Sequence, residues 1–245
     1  MNEQPTVILV PGAWSAASVW EPTATELRRR GLRAEAVTLR GLEPGQPRSA
    51  IAAVRLDDHV DQVAALVTSR PEPVVLVGHS YSSMVTAQVA DRERSQVVGL
   101  IHFGGFLPTD GQSLLDGWGD SPSAREQERQ DIVDAGYLWL PPGLPALAHE
   151  WDLTDEDRSS LAESFTPHPG RTVTDPARLS VGTAKQPTTF VTLSAEDISH
   201  EAAPEMPSGW RVEHLVSGHW PMLSRPDDVV ELITREVAHY GEGRA

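Results

Sequence analysis

The chain has 245 residues, 39% hydrophobic and 22% charged, with a formal net charge of −15 and no cysteine. That length suits one large α/β domain or a core with an insertion, and the missing cysteines exclude disulfides, thiolate metal sites and a cysteine nucleophile. The 35 acidic against 20 basic residues argue against nucleic-acid and anionic-membrane partners, which need a basic footprint.

In chain order, Met1 to Pro5 shows no basic region leading into an apolar core, so no signal peptide is expected. No apolar run approaches membrane-spanning length, and a cytoplasmic location is the expectation. Thr6 to Val10 reads as a buried strand ending at Pro11-Gly12. Glu21 to Arg30 reads as a helix, with Pro22 at its start and Gly31 beyond it. Arg33 to Leu39 reads as the next strand, and a Gly/Pro-rich loop follows from Gly41 to Arg48. Leu56, Val60, Val63 and Val67 recur at helical spacing until Pro71-Glu72-Pro73 stops the pattern. Val74 to Val77, Val97 to Phe103, Thr188 to Leu193 and Arg211 to Val216 are further strands, and Ser83 to Ala90 and Asp227 to Tyr240 further helices.

Strands alternating with helices predict a mostly parallel sheet flanked by helices, with the strands' carboxyl ends on one edge. Residues 108–185 break the rhythm. They hold Trp118, Tyr137, Trp139, Trp151 and Phe165 among prolines and acidic residues, too long and aromatic for a plain loop. The expected division is a core of residues 1–107 and 186–245 with a helical cap insertion over 108–185. Lys185 is the sole lysine, while arginine and alanine abound, a composition that hints at a GC-rich bacterial genome.

Gly78-His79-Ser80-Tyr81-Ser82 lies between an apolar run and a helix. It reads as a nucleophile elbow, G-x-S-x-G, with Ser82 in place of the second glycine. A serine hydroxyl needs a base, and His219, in Ser217-Gly218-His219-Trp220-Pro221, follows a strand on the same expected edge. The base needs an orienting carboxylate. Asp197, after the preceding strand, is favoured over its neighbour Glu196.

These motifs, with Val7-Ile8-Leu9-Val10-Pro11-Gly12-Ala13-Trp14, Gly105-Phe106-Leu107-Pro108, Asp110-Gly111 and Leu223-Ser224-Arg225-Pro226, resemble the α/β-hydrolase superfamily. The resemblance is to its small bacterial and plant branch of salicylate-ester and pyrethroid esterases and hydroxynitrile lyases. It spans the core and implies the α/β-hydrolase fold, a Ser80–Asp197–His219 triad, no cofactor and no metal. It also implies an oxyanion hole from the backbone N–H groups of Tyr81 and Ala13, with Trp14 the adjacent alternative.

Several departures from the family pattern stand out. Pro11 replaces a histidine, removing a hydrogen bond that braces the oxyanion loop. Ser82 enters the elbow, and Gly104 replaces an aspartate, making Asp197 more necessary. Trp220 and Pro11 stand where hydroxynitrile lyases carry lysine and threonine, which disfavours cyanohydrin cleavage.

Trp14, Phe106, Trp118, Trp139 and Trp220 are expected to line a pocket for a small hydrophobic or aromatic substrate. His79 is expected to pack beneath the elbow. His149-Glu150 and Asp152 to Asp157 read as acidic surface rather than metal ligands. The expected activity is serine hydrolysis of an ester or lactone. The alternatives are a same-fold lyase, C–C hydrolase or cyclase, and a non-catalytic receptor. Oligomeric state is left open.

Overall fold

The computed structural model describes residues 4–195 and 206–242. Six parallel strands form the main sheet in the order β2-β1-β3-β4-β7-β8. They are β1 (Thr6–Val10), β2 (Arg33–Ala36), β3 (Val74–His79), β4 (Val97–Phe103), β7 (Thr188–Ser194) and β8 (Arg211–Val216). β5 (Leu138–Trp139) and β6 (His168–Pro169) pair separately as an antiparallel ribbon. β1, β3 and β4 are buried along their whole length, as a sheet covered on both faces requires.

Helices fill the two faces. α1 (Glu21–Arg29) follows β1; α2 (Arg48–Ala53) and α3 (Leu56–Thr68) precede β3; α4 (Ser82–Arg92) leads into β4. Between β4 and β7 lie α5 (Pro122–Asp134), α6 (Leu144–Leu147), α7 (Asp155–Ser164) and α8 (Arg171–Thr174), together with the ribbon. α9 (Pro221–Ser224) and α10 (Pro226–Glu242) close the chain after β8. One core cluster joins Ile8, Val60, Leu76 and Val85. The other joins Leu9, Leu27, Val77, Phe103 and Ile233 across the opposite face. No helix among the described residues is long and apolar enough to cross a membrane.

Two expectations differ from the structure. The strand from Arg33 stops at Ala36 because its one partner, β1, ends one residue beyond the last pair, Leu9 with Ala36. The loop after Gly41 runs into α2, a six-residue helix that buries only Ile51 and so leaves no periodic signature.

Candidate functional site

The strand order reverses between β1 and β3, and open parallel sheets bind ligands beyond the carboxyl ends of strands at such a switch point. There Val10 pairs with Gly78, so the loop after β1 and the turn after β3 emerge side by side. The strands β7 and β8 deliver their following loops to the same edge, with Ser194 opposite Val216 and the Ser217 N–H donating to the Ser194 carbonyl at 3.0 Å.

Ser80 occupies the left-handed region at φ +52°, a conformation that costs a non-glycine residue about 1–2 kcal/mol and that surrounding contacts must impose. Those contacts are visible. The Ser80 N–H donates to the Phe103 carbonyl at 3.2 Å, and the Ser80 carbonyl accepts the Ser83 N–H at 3.1 Å. The loop after β4 presses on the elbow so closely that a Cβ on Gly105 (φ +99°) would sit 2.3 Å from the Ser80 carbonyl oxygen.

Ser82, the departure from the glycine pattern, is fully buried and fastens the turn. Its Oγ accepts the His79 N–H at 2.8 Å and lies 2.7 Å from the Val10 carbonyl, to which it donates. The hydroxyl therefore ties the end of β3 to the end of β1. Replacing Ser82 with alanine removes both of these buried contacts to the ends of β1 and β3. Urea unfolding should show a loss of about 1–3 kcal/mol; unchanged stability would mean that the hydroxyl is dispensable.

The N–H groups of Tyr81 and Ala13 donate to no acceptor among the described residues. The Trp14 N–H is committed to His168 Nδ1 at 3.3 Å, which distinguishes Ala13 from its neighbour as an available donor. Trp14 is itself in the left-handed region at φ +63°. It is pinned by its carbonyl, which accepts from the Thr166 N–H at 2.9 Å, and by its indole N–H, which donates to the Trp139 carbonyl at 3.0 Å. Trp14 thus receives three braces from the segment between β4 and β7.

His168 also bonds Thr172 Oγ1 at 2.9 Å. The Tyr81 hydroxyl meets His59 Nδ1 at 2.7 Å, and His59 Nε2–H donates to the Arg40 carbonyl, also at 2.7 Å. Burial holds His59 down at about 4 and His168 well below the ordinary histidine range, so both are neutral.

His219 lies after β8, its ring centroid 4.8 Å from that of His79, the residue before Ser80. Its side chain stands exposed at that edge. His79 is fully buried under the elbow as expected, and its Nε2–H also donates to the His219 carbonyl at 2.7 Å. Ser80 Oγ and the His219 ring form no hydrogen bond, an arrangement common before substrate tightens a site. Asp197 and Glu196 lie outside the described residues.

The five aromatic residues singled out in the sequence form a connected set. Phe106 contacts Trp118 (centroids 5.6 Å), Trp118 contacts Trp139 (5.2 Å), and Trp139 contacts Trp14 (4.3 Å). Phe165 then bridges Trp14 to Trp220, which packs on His79 at 5.1 Å. Trp151, by contrast, is exposed.

The sequence marks Phe165 only as one of the insertion's aromatic residues and gives His168 no role, although Thr166-Pro167-His168-Pro169 has the proline spacing of a rigid turn. Glu150 and Asp152 depart from the acidic-surface reading, because both bond the backbone of the His219 loop. No group of three or more metal-ligating side chains converges among the described residues.

Comparison with known proteins agrees with this architecture. The chain is 35% identical over 111 residues to a carbendazim hydrolyzing esterase of a Nocardioides species, covering 44% of this chain and 45% of that protein. The chain thus spans less than half of that relative. A probable hydrolase of a Phoma species aligns over 248 residues at 24% identity, covering 94% and 97% of the two chains. Among solved structures, an extracellular alpha/beta-hydrolase from a Paenibacillus species superposes with a TM-score of 0.78 at 18% identity, over 94% of this chain and 98% of that one. That last likeness is one of fold. Residues 7–232 match the model of the alpha/beta hydrolase family, and this chain belongs to that family.

Proposed function

We propose that the protein is a cofactor-free serine hydrolase that cleaves an ester or lactone of a small hydrophobic molecule through an acyl-enzyme. The observation that carries this reading is the strained elbow, which holds Ser80 at φ +52° beside two uncommitted backbone N–H groups, with the His219 loop at the same sheet edge. In this reading Ser80 Oγ attacks the carbonyl carbon, and its proton passes to His219. The oxyanion is held by the N–H groups of Ala13 and Tyr81. Collapse expels the alcohol, which takes the proton back from His219. Water, deprotonated by the same imidazole, then attacks the acyl carbon and releases the acid and Ser80.

Asp197 is the proposed orienting carboxylate, three residues beyond Ser194, where β7 leaves the sheet at the edge shared with His219. Residues 108–185 act as the cap. Trp118, Trp139 and Phe165 come from it, while Trp14, Phe106 and Trp220 come from the core, and together they form the acyl or alcohol pocket. An apolar substrate fits that lining, and the name of the Nocardioides relative, an esterase acting on carbendazim, is consistent with it.

Rapid mixing with p-nitrophenyl esters tests the reading. The expected result is turnover with a p-nitrophenol burst approaching one equivalent of enzyme whenever deacylation is the slower step. Failure to hydrolyse any ester in an aliphatic and aromatic acyl series would overturn it.

A further inference from the structure

The loop that carries His219 is gripped by two carboxylates from the segment between β4 and β7. Asp152 Oδ2 accepts the Gly218 N–H at 2.7 Å and lies 3.0 Å from the Ser217 hydroxyl. Glu150 Oε2 accepts the His219 N–H at 2.9 Å. The fit leaves no slack, because a Cβ on Gly218 would lie 2.3 Å from Asp152 Oδ1 and 2.8 Å from Glu150 Oε2.

The strap bearing these carboxylates is itself anchored: Arg158 on α7 donates to the Glu150 carbonyl from Nε at 3.2 Å and from Nη2 at 2.8 Å. From below, His79 Nε2–H holds the His219 carbonyl at 2.7 Å. The peptide unit on each side of His219 is therefore fixed, one by the strap and one by the core. Backbone N–H bonds to ionised carboxylates are stronger than neutral ones.

We propose that Glu150 and Asp152 are positioning residues that set where His219 stands relative to Ser80, so that the segment between β4 and β7 contributes to proton transfer as well as to substrate binding. This rests on the reading of His219 as the base. Neither carboxylate touches substrate or the reacting atoms. Each acts through the backbone of the residue that does, and displacing such a group by about 1 Å costs on the order of 10²-fold in rate.

The test compares wild type with Asp152→Ala, Asp152→Asn and Glu150→Ala well below their melting temperatures. The readouts are p-nitrophenyl ester kinetics and amide hydrogen exchange. The expectation is a fall in kcat of about 10–100-fold for the two alanine variants, with KM within about threefold of wild type. Exchange at Gly218 and His219 should accelerate in both. Asp152→Asn keeps an acceptor for the Gly218 N–H and should stay within about fivefold of wild-type kcat.

Alanine variants that melt earlier but keep wild-type kcat would reduce the carboxylates to structural fastenings and overturn the proposal. Unchanged exchange at Gly218 and His219 would overturn it independently of activity. If Asp152→Ala does not fold, Glu150→Ala carries the same comparison from the half-buried side of the strap. A wild-type protein inert toward esters, with exchange still accelerated in the variants, would remove the catalytic reading and with it the proposed role, leaving only the clamp.

Discussion

Ser80→Ala should lower ester turnover by at least about 10⁴-fold, the scale on which removal of a triad nucleophile acts. The oxyanion donors and the aromatic lining remain in that variant, so substrate affinity should be nearly unchanged and the loss should fall on kcat. Ser80→Gly is equally inactive under the account, but its stability should differ. Alanine inherits the left-handed backbone at φ +52°, whereas glycine adopts it at little steric cost. The glycine variant should therefore be the more stable of the two by about 0.5–1 kcal/mol in urea unfolding, after the larger chain entropy of glycine is subtracted from the relieved strain. Turnover surviving in either variant would assign the chemistry to another group. An alanine variant as stable as the glycine one would mean that the elbow relaxes when the hydroxyl is lost.

Stability should fall steeply between about pH 6.5 and pH 4. His59, His79, His102 and His168 are fully buried, and burial lowers every one of their pKa values, to about 4 for His59 and His102 and well below the ordinary range for His79 and His168. The unfolded chain takes up protons at about 6.5 and the folded chain does not. Stability is therefore complete above pH 6.5 and is lost as pH falls from there toward the folded values. Each such group contributes about 1.4 kcal/mol per pH unit once the unfolded form is protonated. His59 and His102 alone would remove about 6 kcal/mol by pH 4 on that arithmetic, within the total stability range of most domains.

The net charge of −15 pulls the other way, since partial neutralisation relieves self-repulsion. Exposed charges are screened over about 8 Å at physiological salt, so the buried histidines should dominate. The carboxylates with depressed pKa values, Glu72, Asp91 and Glu236 among them, begin to lose their contribution only below about pH 5, so the slope is read above that value. Urea unfolding at intervals from pH 8 to pH 5 measures the slope, and a flat or rising profile would contradict the assignment of these histidines as neutral. His102, whose two ring nitrogens lack a hydrogen-bond partner among the described residues, offers a finer check. His102→Phe should reduce the slope by about 1.4 kcal/mol per pH unit.

What the sequence revealed follows physical range. β4 and β8 coincide with the expected runs from Val97 to Phe103 and from Arg211 to Val216, because β-branched, apolar-rich stretches bounded by polar punctuation specify strands locally. The elbow was legible for the same reason: strand, turn and helix are adjacent in the chain. The end of β2 depended on how far its partner β1 extends, which no local pattern encodes. The grip of Asp152 on Gly218 joins residues 66 positions apart, and that of His168 on Trp14 spans 154. Both use backbone N–H groups that every residue possesses, so nothing in composition or spacing marks them. Ser82 looked like a flaw in a motif, and only the packed ends of β1 and β3 reveal that its hydroxyl fastens the turn.

Covalent capture of Ser80 bears most directly on the central claim. The protein would be treated with a fluorophosphonate, digested, and mapped by mass spectrometry, with Ser80→Ala and His219→Ala in parallel. The account predicts one phosphonyl group per chain, on Ser80, absent in Ser80→Ala and formed at a rate reduced by at least about 10³-fold in His219→Ala. An unlabelled wild type, or a label that survives Ser80→Ala, would contradict it.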